Sequence, residues 1–423
     1  VARSVGVLLP LLGLLVVGGR GDAAELATGH WVASWSASPT DAVTPIDAAA
    51  RPVPVVLVNQ TLRMVVVPHL GGDTMRIHLS NRFGNAVATF ADVTAGLYSA
   101  KSVAGIQQVT FGGSKRVVVA KGADVVSDPV HLEVSAFTAV AISIYLPGLQ
   151  KLPTKHWNAN ATSYYALPLT GDRSHSAANS VFRGRTQAWL YIDGLDVVTA
   201  QDTHAIVAFG DSITDGFVAS NPLSLPVSTA VADLNKRYPD DLQHRIDAAG
   251  LPVSVVNAGI ASNRLLTDGE PLFEGPSGLE RLQQDALDEA GVTGVILLEG
   301  INDFGIPPAR TTAAQLIDGF ETAIAMAHAA GKRIWLGTIT PASNALMDGV
   351  RTAPDSETNR QAANAWIRSQ QLADGVIDFD AAIRDPNNPS VIRPDLSGPD
   401  HLHPNLLGYQ AMANEVDLSM LAG

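Results

Sequence analysis

The spacing of hydrophobic positions changes character near the middle of the chain. Thr74-Met75-Arg76-Ile77-His78-Leu79 alternates strictly, with apolar residues at the odd positions, and Val140, Ile142, Ile144 and Leu146 line one face until Pro147-Gly148 ends the run. A period of two marks a strand with one buried face. Residues 60–67, 116–120 and 132–134 give further strand candidates, separated by turn signals such as Gly71-Gly72-Asp73, Phe83-Gly84-Asn85 and Gly112-Gly113-Ser114. Short strands, frequent turns and no helical spacing predict an antiparallel β-sandwich, jelly-roll-like, over 25–200.

Past residue 200 the apolar runs become continuous, at 205–210, 253–257, 293–298, 333–338 and 375–378. Such runs are expected of parallel strands covered on both faces. Helical spacing lies between them, at Leu279, Leu282, Ala286 and Leu287, and again at Ala313, Leu316, Ile317, Phe320, Ala323, Ile324 and Ala327. Further helices are expected over 355–371 and 405–417. Residues 201–423 therefore predict a three-layer α/β unit with a parallel sheet, joined to the β-sandwich by a hinge within 195–204. In open sheets of this kind ligands sit past the carboxyl ends of the strands.

Residues able to do chemistry fall at those ends. The first run stops at Gly210-Asp211-Ser212, where a helix can open and lift a serine hydroxyl clear of the sheet. Asn257-Ala258-Gly259 closes the second run, and Gly300-Ile301-Asn302-Asp303 follows the third. Near the C-terminus Asp400-His401-Leu402-His403-Pro404 places a carboxylate and an imidazole three residues apart. A serine needs a base to become a nucleophile and donors to hold the oxyanion it creates, and residue types suited to both roles are present.

In order, Ser212, Gly259, Asn302 and His403 with Asp400 resemble the four blocks of the SGNH/GDSL hydrolases. The resemblance covers about 203–419, and it implies a flavodoxin-like α/β hydrolase domain. It implies that Ser212 attacks an ester carbonyl, that His403 takes and returns the proton, and that Asp400 orients the imidazole. It also implies an oxyanion hole made by the backbone N–H groups of Ser212 and Gly259 and the Asn302 amide. Trp31-Val32-Ala33-Ser34-Trp35, Asn81-Arg82-Phe83-Gly84 and Asn160-Ala161-Thr162-Ser163-Tyr164 are similar to segments of exported members that carry a β domain ahead of the hydrolase.

Plainer readings compete at each position. Ser212 also suits a helix N-cap, Gly259 a turn, and Asn302 with Asp303 an Asx turn. Asp211 is expected to hydrogen-bond within its own turn. His401 beside His403 and Asp400 also reads as part of a metal site, but no other cluster at ligand spacing supports it, so neither metal nor cofactor is expected. Trp31 and Trp35 read as core residues rather than a sugar-stacking platform. The Gly-x-Ser-x-Gly elbow of α/β-hydrolases is absent. Residues 218–230 are expected to form a loop beside the nucleophile.

Composition narrows the partners. The 423 residues are 46% hydrophobic and only 16% charged, with 28 Lys and Arg against 41 Asp and Glu and a formal net charge of -13. No basic cluster is present, so nucleic acid is an unfavoured partner. The absence of cysteine excludes disulfides and thiolate catalysis. Arg3 followed by the Val-, Leu- and Gly-rich run over 5–19, then Gly21-Asp22-Ala23-Ala24, reads as a secretory signal peptide over 1–24, which predicts a secreted or periplasmic protein with no stable membrane anchor. The resemblance, together with the exported β domain, implies hydrolysis of short-chain carboxylic esters, O-acetyl groups on carbohydrates above all. A lipase or acyltransferase on longer chains and a non-catalytic carbohydrate-binding protein are the alternatives.

Overall fold

The computed structural model describes residues 30–41, 53–200, 202–224, 231–269, 275–305 and 310–422. The signal-peptide expectation lies outside the described residues, as does the 225–230 part of the loop expected after Ser212.

Up to residue 199 the described chain is β-rich and antiparallel. One sheet runs in the order His30–Ser36, Ile192–Thr199, Gly72–Ser80, Asp124–Val126, with Val130–Val134 also paired to Gly72–Ser80. The other runs Gly184–Thr186, Ser163–Tyr165, Val56–Val66, Val140–Lys151, Asp92–Tyr98, Val103–Val109. The alternation seen in the sequence is what allows this. Ile77 and Leu79 from the first sheet meet Leu62, Met64, Ile142 and Ile144 from the second in one apolar core, while intervening residues turn away. Trp35 belongs to that core and meets Trp189 edge-on at 4.8 Å. Trp31 is half-buried, with the Arg76 guanidinium 4.7 Å above its ring.

The second region is built on five parallel strands in the order Val253–Gly259, His204–Gly210, Val292–Leu298, Arg333–Gly337, Gly375–Ile377. By position in the chain this is 2-1-3-4-5, the flavodoxin-like order, with its crevice where the first strand lies beside the third. His204–Gly210 is buried along its whole length because cores lie on both faces. Ala313–Ala329 and Ser356–Ser369 cover one face; Tyr238–Ala248 and Leu406–Glu415 cover the other. One helix departs from expectation. Gly278–Leu282 is α-helical, but Gln283–Leu287 winds as a π-helix. The wider turn carries Asp285 between two arginines, Arg281 and Arg82.

The halves meet along His30–Ser36. Trp35 packs into the β-rich core, whereas Val32 and Ala33 pack into the α/β core. Ala33 N–H donates to the Ala290 carbonyl at 2.8 Å, and the Ser36 hydroxyl donates to the Asn257 carbonyl at 3.0 Å. Among the described residues no helix is long and apolar enough to cross a membrane.

Candidate active site

The strand His204–Gly210 ends in a reversal that only glycine permits. A Cβ on Gly210 would lie 2.2 Å from Thr214 Oγ1 and 2.4 Å from the Leu298 carbonyl. The chain then enters the four-residue helix Ser212–Asp215, capped by the Asp211 side chain, which accepts from Ile213 N–H at 2.8 Å, and closed by Gly216 at φ +82°. Asp211 thus bonds within its turn, and Ser212 is the first helical residue rather than the cap.

The Ser212 hydroxyl lies 2.8 Å from His403 Nε2, and His403 Nδ1 lies 2.6 Å from Asp400 Oδ2. The local sequence explains the second contact. Asp400 Oδ1 accepts from the N–H groups of Leu402 and His403 at 3.2 and 3.1 Å, and Gly398 N–H donates to the His403 carbonyl at 2.8 Å. This tight turn points both side chains one way. The Ser224 hydroxyl donates to Asp400 Oδ2 at 2.8 Å. Burial pushes the Asp400 carboxyl up, but the adjacent His403 and these hydrogen bonds outweigh it and hold it at about 2. His401 is exposed, in the left-handed turn position at φ +60°. It lies outside this chain of contacts.

Other carboxyls near the site go the opposite way. Burial raises Asp348 to about 7 and Asp303 to about 6, and it raises Asp211 as well. The site therefore combines a carboxylate held low beside the imidazole with carboxyls that burial pushes up.

Asn302 opens the helix Ile301–Gly305 past the third strand. One hydrogen of its amide goes to the Asn263 carbonyl at 2.8 Å; the other has no acceptor among the described residues. Asp303 does not form an Asx turn with it. Its two oxygens accept from Leu265 and Leu266 N–H at 2.9 and 3.1 Å, tying the 262–266 loop to the site. The Ser212 N–H likewise finds no acceptor among the described residues.

The Gly259 N–H, expected to face the oxyanion, has a partner inside the fold. It donates to Asn257 Oδ1 at 2.8 Å, so that donor is already engaged. A glycine is needed there for another close approach, because a Cβ would lie 2.3 Å from the backbone nitrogen of Asp215. Asn257 then donates from Nδ2 to the Thr214 carbonyl at 2.7 Å, so the pair braces the short helix. The loop beyond runs across the mouth of the site: Ile260 N–H donates to the Gly210 carbonyl, and Ser262 adopts φ +65°.

Several residues here carried no motif signal. Arg281 reads in sequence as an ordinary helix residue, yet it is buried. It donates to the Gly210 carbonyl at 2.9 Å, the Ala258 carbonyl at 2.7 Å and Asn263 Oδ1 at 2.8 Å. It thus ties together the ends of two strands and the loop that holds Asn302. Phe217 lies against the imidazole of His403, ring centroids 4.6 Å apart, and its carbonyl accepts from the Tyr409 hydroxyl at 2.6 Å. A nearby serine, a buried arginine and an aromatic have no fixed spacing from the nucleophile, so only the fold discloses them. Among the described residues no group of three or more His, Asp or Glu side chains is placed to hold a metal ion.

Comparison with known proteins bears on the α/β half of the chain. The family model described as GDSL-like Lipase/Acylhydrolase matches residues 208–411. No curated protein matches the chain. Among solved structures, the chain is similar to a lipase/acylhydrolase from Enterococcus faecalis, with 25% identity over 50% of this chain and 93% of that one, and a TM-score of 0.37. It is similar to the inhibitor-bound M. smegmatis aryl esterase, with 17% identity over 50% and 95% of the two chains and a TM-score of 0.40. A carbohydrate acetylesterase family member from Sinorhizobium meliloti shows 17% identity over 51% and 97%, with a TM-score of 0.39. Residues 208–411 thus carry a GDSL-like lipase/acylhydrolase domain, which supports a carboxylic ester hydrolase.

Proposed function

We propose that this protein is an exported serine esterase that removes short acyl groups from carboxylic esters, O-acetyl groups on carbohydrates being its substrate class. The observation that carries the mechanism is the unbroken line from Ser212 Oγ through His403 to Asp400, at 2.8 and 2.6 Å. In the first step the Ser212 oxygen bonds to the carbonyl carbon while its proton passes to His403 Nε2. Asp400 accepts from the Nδ1 side, which selects the tautomer with Nε2 free and stabilises the cation that forms. The carbonyl π electrons move onto oxygen. The Ser212 N–H and the second hydrogen of the Asn302 amide are the donors for that oxyanion, each worth about 3 kcal/mol in a site closed to water. Collapse breaks the ester C–O bond, and His403 returns the proton to the departing alkoxide. Water then repeats the sequence on the acyl-enzyme and releases the acid.

Preference for a small acyl group rests on the crowding beside the imidazole, where Phe217, Trp157, Ala219 and Ala261 form one buried apolar cluster. Export rests on the leader-like residues before Glu25, and the carbohydrate assignment on the resemblance to exported members with a β domain. Two measurements test the reading. Fluorophosphonate labelling should occur on Ser212 and vanish in Ser212→Ala. Initial rates on p-nitrophenyl esters should fall as the acyl chain lengthens, with acetate released from acetylated xylan. Labelling that survives Ser212→Ala removes the nucleophile assignment. A preference for long chains without acetate release instead favours the lipase or acyltransferase reading. A parent protein that neither turns over esters nor labels would be a binding protein on this scaffold.

A further inference from the structure

Residues 156–160 of the β-rich half reach the helix that carries Ser212, and their side chains divide between two tasks. The even-numbered residues hold the end of that helix. His156 Nε2 lies 3.1 Å from Asp215 Oδ1, Asn158 Nδ2 donates to Asp215 Oδ2 at 3.0 Å, and Asn160 Nδ2 donates to the Gly216 carbonyl at 2.7 Å. Both oxygens of the Asp215 carboxyl are thereby engaged by the other half of the molecule. The odd-numbered Trp157 turns to Phe217, ring centroids 6.2 Å apart, and Phe217 is the ring that lies against His403. Arg237 closes the arrangement, donating from Nε to the Asp215 carbonyl at 2.9 Å and from its guanidinium to the Ala159 carbonyl.

The segment is itself held firmly. His156 belongs to the strand Lys155–His156, which pairs with Trp189–Leu190. Its Nδ1–H donates to the Ser38 carbonyl at 2.9 Å, and its ring lies against Trp189. His156, Trp157, Asn158, Asn160, Asp215 and Phe217 are buried. The helix they grip has only four residues, Ser212–Asp215. A single turn does not maintain its own geometry, since helix nucleation is unfavourable and nothing follows to repay it. The direction of the Ser212 hydroxyl is therefore set by whatever fixes both sides of the turn. Asn257 and Gly259 fix one side from within the α/β half, and 156–160 fix the other.

We propose that residues 156–160 of the β-rich half are a positioning element of the active site: His156, Asn158 and Asn160 aim the Ser212 hydroxyl, and Trp157 seats the His403 imidazole through Phe217. The two halves then build one catalytic centre, and the β-rich half is not a separable attachment. This rests on the roles proposed above for Ser212 and His403. A segment that only glued the halves together would affect stability and leave turnover per folded molecule unchanged. A positioning element affects the chemical step itself, because a displacement of about 1 Å at a reacting group can cost on the order of 100-fold in rate.

The test uses the full chain with His156→Leu, His156→Gln, Asn158→Leu and Asn160→Ala, each checked for folding by circular dichroism at the assay temperature. His156→Leu and Asn158→Leu should lower kcat on p-nitrophenyl acetate by about 10- to 100-fold. KM should stay within about threefold of the parent, the signature of an interaction that matters in the transition state. Fluorophosphonate labelling of Ser212 should slow by the same factor. His156→Gln, which restores an N–H toward Asp215, should recover most of the loss. Folded His156→Leu and Asn158→Leu proteins with parental kcat and parental labelling rates overturn the proposal. Should those two fail to fold, Asn160→Ala removes the bond to the Gly216 carbonyl and is read in the same way: a tenfold or larger fall supports the proposal and an unchanged rate overturns it. If the parent does not label on Ser212, the proposed function falls and this inference with it. If the parent labels and the variants match it, only the positioning role falls.

Discussion

In the strand Val130–Val134 of the β-rich half, buried and exposed residues alternate one by one; in His204–Gly210 of the α/β half every residue is buried. The difference decides where each half can present a reactive group. An alternating strand has an outward face along its whole length and can offer side chains anywhere on it. A strand covered on both faces has no such surface and can offer chemistry only where it stops. Ser212 and Asn302 accordingly stand just past the ends of the first and third strands, while the β-rich half approaches from the side, through 156–160.

The comparison can be broken most directly at the strand ends. Ser212→Ala and His403→Ala should each lower kcat by about 10⁴-fold or more without unfolding the protein, as measured by initial rates and circular dichroism. A residual rate within tenfold of the parent would mean that the reactive group lies elsewhere. Next in size, Asn302→Ala should lower kcat by about 10²- to 10³-fold, as for loss of one oxyanion donor, with KM nearly unchanged. An effect on KM alone would make Asn302 a ground-state contact.

The β-rich core sharpens the contrast from the other side. Ile144→Ala, within that core, should cost about 2–5 kcal/mol of stability by denaturant titration, yet leave kcat per folded molecule unchanged. A fall in kcat there would show that the whole β-rich half, rather than one segment of it, governs the site.

The smallest effect is electrostatic and depends on pH. Burial holds the Asp348 carboxyl at about 7. The folded protein thus keeps a proton that the unfolded chain releases above about pH 4. Stability from this group falls as pH rises from about 4 to about 7, because the folded state binds the extra proton. Asp348→Asn removes that penalty. Its melting temperature should match the parent near pH 4 and exceed it near pH 8. A difference that does not grow with pH would contradict the burial argument. Asp400 has the opposite sign. With its carboxyl held at about 2, it contributes stability above about pH 4 that is lost as the pH falls toward 2.

Much of this architecture could be read directly from residue order. Period-two runs such as 74–79 lie within Gly72–Ser80, and the continuous run at 205–210 lies within His204–Gly210, because strand burial is imposed by side-chain periodicity. Ser212, Asn302 and the Asp400–His403 pair were legible for a similar reason, since each sits immediately past a strand or within a tight local turn. The π-helical turn at Gln283–Leu287 was not legible, because its helical spacing is that of an ordinary helix. The engagement of the Gly259 N–H was also hidden: nothing in Asn257-Ala258-Gly259 says that the asparagine will fold back onto it.

The chain by itself determined two textures of secondary structure and the residue types at the strand ends. These follow from local periodicity and turn chemistry, which act over a few residues. Tertiary structure alone decided that Arg281 ties Gly210, Ala258 and Asn263 together, that Ser224 reaches Asp400, and that His156 and Asn158 hold Asp215 from the other half of the molecule. Those contacts join positions separated by as many as 176 residues, and no local preference encodes which distant groups packing will bring together.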